Sequence, residues 1–283
     1  MSTNSYGIRK KTKVILTHVV LGIVCLVVVA PVLFAFMKST QTSTEIFSYP
    51  PKLFLGTAGF SNYITAWNDV NLGRLMLNTG FIALIVIAGK IVFSLFAALA
   101  LVYFDFRFKN ILFFFILLTI MLPVAVRIIP LYQLTRDLNW GNSYYALTVP
   151  FLASATALFL FRQHFMSVPN SIVDAARVDG ASALRFLWSI LLPMSMNIIG
   201  GLVVIEFVYM WNQYLWPLII LTSEKRKVVQ LGMAELIQRG TAEGMMSWGS
   251  SMAGAMIVLL PPLIIVLILQ EQFLRGIAFS QQK

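Results

Sequence analysis

Cysteine and histidine are nearly missing: Cys25, His18 and His164 are the whole supply in 283 residues. A disulfide within the chain is impossible, and a cysteine-based metal cluster is excluded with it. Acidic side chains are scarce too, 11 against 21 lysines and arginines. No His-Glu-x-x-His occurs and no catalytic pair stands on adjacent turns, so a membrane-embedded metalloprotease is not supported. A Gly-x-x-x-x-Gly-Lys-[Ser/Thr] loop is absent as well, and the chain therefore lacks the phosphate cradle that ATP hydrolysis requires. The formal net charge is +10, yet no basic stripe interleaved with aromatics points to nucleic acid. No catalytic residue and no bound metal is expected.

What remains is apolar. With 59% hydrophobic and 11% charged residues and a mean hydropathy of +0.83, the chain reads as an integral membrane protein. Six runs are long enough to cross a bilayer, near 14–37, 76–103, 111–130, 145–166, 194–221 and 250–270. The first follows Arg9, Lys10, Lys11 and Lys13, as a signal peptide would. It is too long for such a leader and has no convincing cleavage site, so it is expected to stay. The basic flanks before span 1, between spans 2 and 3 (Arg107, Lys109) and between spans 4 and 5 (Arg177, Arg185) share one side of a six-span topology. The positive-inside rule makes that side, and both termini, cytoplasmic. Lys225, Arg226 and Lys227 run against the rule. Residues 1–13 are then a cytoplasmic segment, and 14–283 a single membrane domain with core spans 76–270.

Charges inside spans must face a protein interface or a water-filled path. Lys90 lies near the middle of span 2, Arg127 toward the outer end of span 3, and Glu206 in the middle of span 5. Lys90 has two readings, a structural ion pair with Glu206, which is preferred, and attraction for an anionic solute. Span 5 adds Tyr209, Trp211, Asn212, Gln213 and Tyr214, whose rings stack on polyol faces and whose amides bond hydroxyls. Lys90, Arg127, Glu206, Tyr209, Trp211, Asn212 and Tyr214 are the candidate path residues. Anchoring at the membrane interface is an equal reading for the aromatic members.

Between spans 4 and 5 lies a polar insert, Asp174 to Pro193, reading DAARVDGASALRFLWSILLP. Pro169 suits a helix start, Asp179-Gly180 a left-handed helix end, and Pro193 a hinge back into the membrane. The Ala175-Ala176 pair lets another surface approach the backbone closely. Asp174-Ala175-Ala176, Asp179-Gly180-Ala181 and Ile190-Leu191-Leu192-Pro193 resemble the EAA loop of permease subunits in ATP-binding-cassette importers, with Asp174 in place of the usual Glu. Asn62-Tyr63, Leu77-Asn78-Thr79, Trp211-Asn212-Gln213-Tyr214 and Gln270-Glu271-Gln272-Phe273 extend the likeness to the carbohydrate-uptake class, binding-protein-dependent importers, over nearly the whole chain. Within it, Met121 to Ile128 and Phe161 to Met166 are most similar to the second-permease branch for glycerol 3-phosphate.

The resemblance implies an all-α membrane protein, six transmembrane helices with a cytoplasmic coupling hairpin between the fourth and fifth. Asp174, Ala175, Ala176, Asp179, Gly180, Ala181 and Pro193 would meet an ATPase. The implied partners are a second homologous permease, a homodimer of ATPase subunits that bind the ATP and Mg, and an external solute-binding protein. The cargo would be a small polyhydroxylated solute, sn-glycerol 3-phosphate or a glycerophosphodiester, with a neutral sugar or oligosaccharide as the alternative. An ion-coupled carrier acting alone is the alternative of another class, and would call for more membrane carboxylates than Glu206.

Overall fold

A computed structural model describes residues 3–242 and 248–278, and all the secondary structure among them is helical. Arg9, Lys10 and Lys11, on which the expected orientation leans, lie outside the residues whose side chains are described. Four helical stretches are long and apolar enough to cross a bilayer: Lys13–Ser39, Leu72–Tyr103, Tyr144–Met166 and Trp248–Ile268. Two further pairs qualify only as bent spans, Lys109–Met121 with Val126–Asp137 at 104° and Ala183–Met194 with Met196–Trp211 at 73°. The runs expected as six spans thus divide into four continuous ones and two broken ones.

Proline chemistry explains most of the breaks. Pro123 cannot donate to a preceding turn, and it instead opens the helix Val124–Asp137. The run 194–221 is not one helix: Met196–Trp211 ends, and Leu215–Ile220 begins afresh with Pro217 in its first turn. A ring at 217 would strike the carbonyl of Gln213 if the helix ran through. Ahead of Pro193, whose missing N–H leaves a carbonyl unclaimed, residues Leu187–Leu191 widen into a π-helical turn. The 73° bend follows at Ser195, fully buried, whose hydroxyl donates to the Leu191 carbonyl at 2.6 Å. The hinge expected at Pro193 therefore sits two residues later.

The chain forms two compact units, Met1–Val70 with Met233–Ile257, and Asn71–Gly232 with Val258–Lys283. In the first, the helix Thr3–Ser39 leaves residues 13–34 uncovered on every side, an apolar rod that only lipid or another apolar surface can satisfy. Its end is the opposite. Buried Lys38 donates to Gln41 Oε1 at 2.9 Å and to the Lys52 carbonyl, while the Gln41 amide donates to the carbonyls of Lys52 and Phe54. Asn62 donates to the carbonyls of Ser39 and Gln41, both at 2.9 Å. Gly249 lies against this knot, where a Cβ would meet Asn62 Nδ2 at 2.5 Å. Of the aromatics in residues 38–75, Tyr63 is tied in through a hydroxyl contact with Ser39 at 2.7 Å, whereas Tyr49, Phe54 and Phe60 face outward.

The second unit centres on Leu72–Tyr103, against which Ala155–Met166 packs. Met196–Trp211 also lies on it and runs antiparallel to the stretch 258–272: Gly200 abuts Gln272, and the Trp211 indole donates to the Val258 carbonyl at 3.1 Å. Leu95, Phe161, Phe165, Leu187 and Leu191 are sealed in its core. The basic cluster at 225–227 is also committed here. Lys227 pairs with Glu224 at 2.7 Å, Arg226 donates to the Asn142 carbonyl at 2.7 Å, and Asn78 holds the carbonyls of Lys225 and Lys227. Of the three, Lys227 is matched by an acid, Arg226 is anchored on a carbonyl, and at 225 it is the backbone that is held.

Glu45 generates a pH prediction. Its carboxylate accepts from the N–H groups of Thr42 and Thr57, each at 3.0 Å, with Lys52 beside it, and these donors pull its pKa from 4.5 to about 2. A depressed carboxylate pKa means stability that is present above the unfolded value and lost as pH falls toward the folded one. Hydrogen-exchange protection of the Thr42 and Thr57 amides in the detergent-solubilised chain is expected to fall between pH 4.5 and about 2. Glu45→Gln is expected to lower that protection at pH 7 and abolish the step; protection that is flat with pH in the unmodified chain contradicts the assignment.

Candidate functional site

Two features of the second unit carry chemistry, and each is built from sequence-distant pieces. The first is a cavity of about 520 Å³ lined by helices Leu72–Tyr103, Val124–Asp137, Ala155–Met166 and Met196–Trp211 and the chain after it. Lys90 and Glu206, 116 residues apart in sequence, meet on its wall with Nζ and Oε2 2.5 Å apart. Both are buried, 7% and 9% exposed, so neither charge has bulk water as its main partner. The ammonium also lies 5.3 Å from the centre of the Tyr209 ring, whose π cloud adds a further stabilisation.

Arg127 lines the same cavity, brought there by the bend at Leu122 and Pro123. Ser154 stands on its wall as well, and caps Ala155–Met166 by accepting from the Ala157 N–H at 3.2 Å. Because Ala155 and Thr156 also line the space, the positive end of that helix dipole borders it. Gln213 and Trp216 complete the polar wall, Trp216 being held by its indole donating to the Ala146 carbonyl at 2.9 Å.

Of the residues picked from sequence, Lys90, Arg127, Glu206 and Tyr209 share the cavity. Trp211, Asn212 and Tyr214 do not line it. Trp211 is 3% exposed, stacked on Phe207 at 5.3 Å, and its N–H is spent on Val258. Asn212 donates to the Val208 carbonyl and faces the Gln230 amide at 3.2 Å, terminating its helix. The helical phase explains Trp211: Leu202, Ile205, Glu206 and Tyr209 fall at i, i+3, i+4 and i+7, one face, with Trp211 on the opposite one, while Gln213 reaches the cavity from the chain after the helix. Ser154 was missed by the sequence reading, and the signal that marks it is a cap-type residue following Pro150 in an apolar run.

The second feature is the insert. Asn170–Val178 is an amphipathic helix that turns Ile172, Val173 and Ala176 into the core and leaves Asp174, Ala175, Arg177 and Val178 outside. Val178 is 88% exposed, and Asp174 pairs with Arg177 at 3.3 Å. The end is a Schellman motif: Ala181 N–H donates to the Ala176 carbonyl at 2.9 Å, Gly180 N–H to Arg177 at 3.0 Å, and Gly180 has φ +67°. Ser182 then caps Ala183–Phe186 by accepting from the Arg185 N–H. Phe186 meets Tyr103 edge-on at 5.2 Å, and the Tyr103 hydroxyl donates to the Phe165 carbonyl at 3.0 Å. Aromatic packing thus fixes the hairpin to both neighbouring helices. Among the described residues no group of three His, Cys, Asp or Glu side chains is placed to hold a metal.

The ion pair yields a stability test. Removing one partner leaves the other charge buried and unmatched, which costs about 3–5 kcal/mol, whereas replacing both with apolar groups of similar volume is near neutral. Lys90→Met and Glu206→Met are each expected to lower the unfolding midpoint in detergent, and the double variant to recover most of the loss. Additive losses would show that the two charges do not meet.

The sequence profile of the family described as "Binding-protein-dependent transport system inner membrane component" matches residues 90–278. The sn-glycerol-3-phosphate transport system permease protein UgpE of Pectobacterium atrosepticum is 39% identical over 274 residues, covering 95% of this chain and 97% of the relative. That of Salmonella typhi is 41% identical over 272 residues, covering 94% and 95%. Among solved structures, a chain of a bacterial ABC transporter involved in the import of the acidic polysaccharide alginate superposes with a TM-score of 0.79 at 24% identity, over 94% of this chain and 97% of that one. A chain of the bacterial alginate ABC transporter in complex with an alginate pentasaccharide-bound periplasmic protein gives 0.66 at 14% identity, over 92% and 93%; both likenesses speak to the fold. With a matched profile spanning most of the chain and near-full-length relatives at this identity, the chain belongs to the family of inner membrane components of binding-protein-dependent transport systems.

Proposed function

We propose that this chain forms half of the translocation path of an ATP-driven importer for sn-glycerol 3-phosphate or a glycerophosphodiester, without itself catalysing a reaction. The observation that carries the reading is the identity of about two residues in five, over nearly the full length, to relatives named as permeases for that solute. In it, a second homologous permease supplies the other half of the path, an external binding protein delivers the solute, and two ATPase copies bind ATP and Mg. Both termini and the hairpin 170–193 lie on the cytoplasmic side.

The exposed strip of Asp174, Ala175 and Val178, small or apolar apart from one acid, suits a cleft on the ATPase. Because the hairpin's inner face shares a core with Leu95, Phe161 and Phe165, a push on it is delivered to the helices that wall the cavity. An ion-coupled carrier is disfavoured, since Glu206, the carboxylate it would use, is closed on Lys90. Uptake of radiolabelled glycerol 3-phosphate by the reconstituted complex, against maltose as a neutral sugar, tests the cargo; uptake of the sugar alone would overturn it.

Gly180 tests the docking surface. Nothing lies within 4 Å of where its Cβ would be, so the constraint is the left-handed φ and the surface beyond. Gly180→Asn, tolerated in that conformation at about 1 kcal/mol or less, is expected to retain ATPase co-purification and uptake. Gly180→Arg is expected to insert into the membrane at wild-type level but lose both. Wild-type ATPase recovery with the arginine variant counts against docking here.

A further inference from the structure

The charges around the cavity do not balance, and the imbalance has one owner. Lys90 and Glu206 cancel each other at 2.5 Å, and the Tyr209 ring centre lies 5.3 Å from the ammonium. Arg127 makes no ion pair or hydrogen bond with any described residue, although it lines the same space. We propose that Arg127 is the residue of this chain that selects an anionic solute, by taking its phosphate, and that Lys90 is withheld from that task by Glu206. This rests on the reading of the chain as a permease for glycerol 3-phosphate and names the residue behind that selectivity.

The chemistry fits on three counts. A guanidinium is weakly hydrated and presents a planar fork that matches two phosphate oxygens at once, so it exchanges water for phosphate at low cost. Arg127 is exposed near the outer end of its span, so water can attend the cation until an anion takes its place, and no protein carboxylate competes for it among the described residues. The polar neighbours in the cavity, Ser154, Thr156 and Gln213, carry hydroxyl and amide groups that suit a polyol, and about 520 Å³ accommodates a three-carbon phosphate with some of its water. Lys90 offers none of this. To bind phosphate it would have to abandon a buried carboxylate, leaving Glu206 repelling the incoming anion.

The test compares Arg127→Gln, Arg127→Lys and the double variant Lys90→Met/Glu206→Met in the complete importer, reconstituted with its ATPase and external binding protein. The readout is kcat/KM for uptake of glycerol 3-phosphate. Arg127→Gln is expected to lower it by about tenfold or more, the loss of one charge-assisted contact. Arg127→Lys is expected to recover a substantial part, which a packing role would not give. The double variant keeps the net charge of the cavity, and its kcat/KM for glycerol 3-phosphate is expected to remain well above that of Arg127→Gln. Wild-type uptake of glycerol 3-phosphate with an indifferent Arg127→Gln overturns this proposal alone, as it would if the arginine served a lipid headgroup. A double variant as defective as Arg127→Gln would return the role to Lys90. A wild-type complex that moves only a neutral sugar overturns both this inference and the assignment of cargo.

Discussion

A lysine and a glutamate 116 residues apart, closed on each other, set the terms for the second unit. Neither charge is stable alone in apolar surroundings, so the helices Leu72–Tyr103 and Met196–Trp211 are held in the one register that brings them together. Around that contact the other wall elements find their places. Met196–Trp211 is further pinned by Trp211 reaching Val258 and by Gly200 seated on Gln272, and Ala155–Met166 packs on the lysine helix and touches Met196–Trp211 as well. The cavity is what remains open between these members, and its electrostatics follow from the pair: two of its three charges are spent on structure.

The hairpin after Met166 repeats the logic with apolar contacts. Its outward strip is exposed, but its inward residues are sealed among aromatic side chains, with Tyr103 in contact with both Phe165 and Phe186. The exposed face is thus continuous with the core beneath it. The π-helical turn and the bend at Ser195 lie between that surface and the wall helix, where a distorted ladder deforms more readily than a regular one.

The first unit obeys the opposite rule. Its long helix is apolar on every side over residues 13–34 and finds no cover among the described residues, while the segment that follows is knotted by the polar side chains of Lys38, Gln41, Glu45 and Asn62. The two halves match two solvents. Hydrocarbon tolerates the bare rod but no unpaired backbone, and water tolerates the exposed rings of Tyr49 and Phe60 because the knot beneath them is already bonded.

Much of this was legible before any coordinates. Long apolar runs must become helices in a bilayer, Asp179-Gly180 after an Ala-Ala pair reads as a helix end because glycine enters the left-handed region without penalty, and a lysine and a glutamate in mid-span demand partners. The bends were harder, since proline announces a break but not which residue absorbs it: Ser195, not Pro193, carries the fifth-span angle. By residue type Trp211, Asn212 and Tyr214 suited solute contact and interface packing equally, and helical phase turned the tryptophan into the core. The sequence by itself determined the class, the helices, the polar helix-turn-helix insert and the presence of mid-span charges, because those depend on local composition and backbone chemistry. Only the tertiary structure decided which cation is neutralised and which is left over, because that choice turns on distances between residues that the chain keeps far apart.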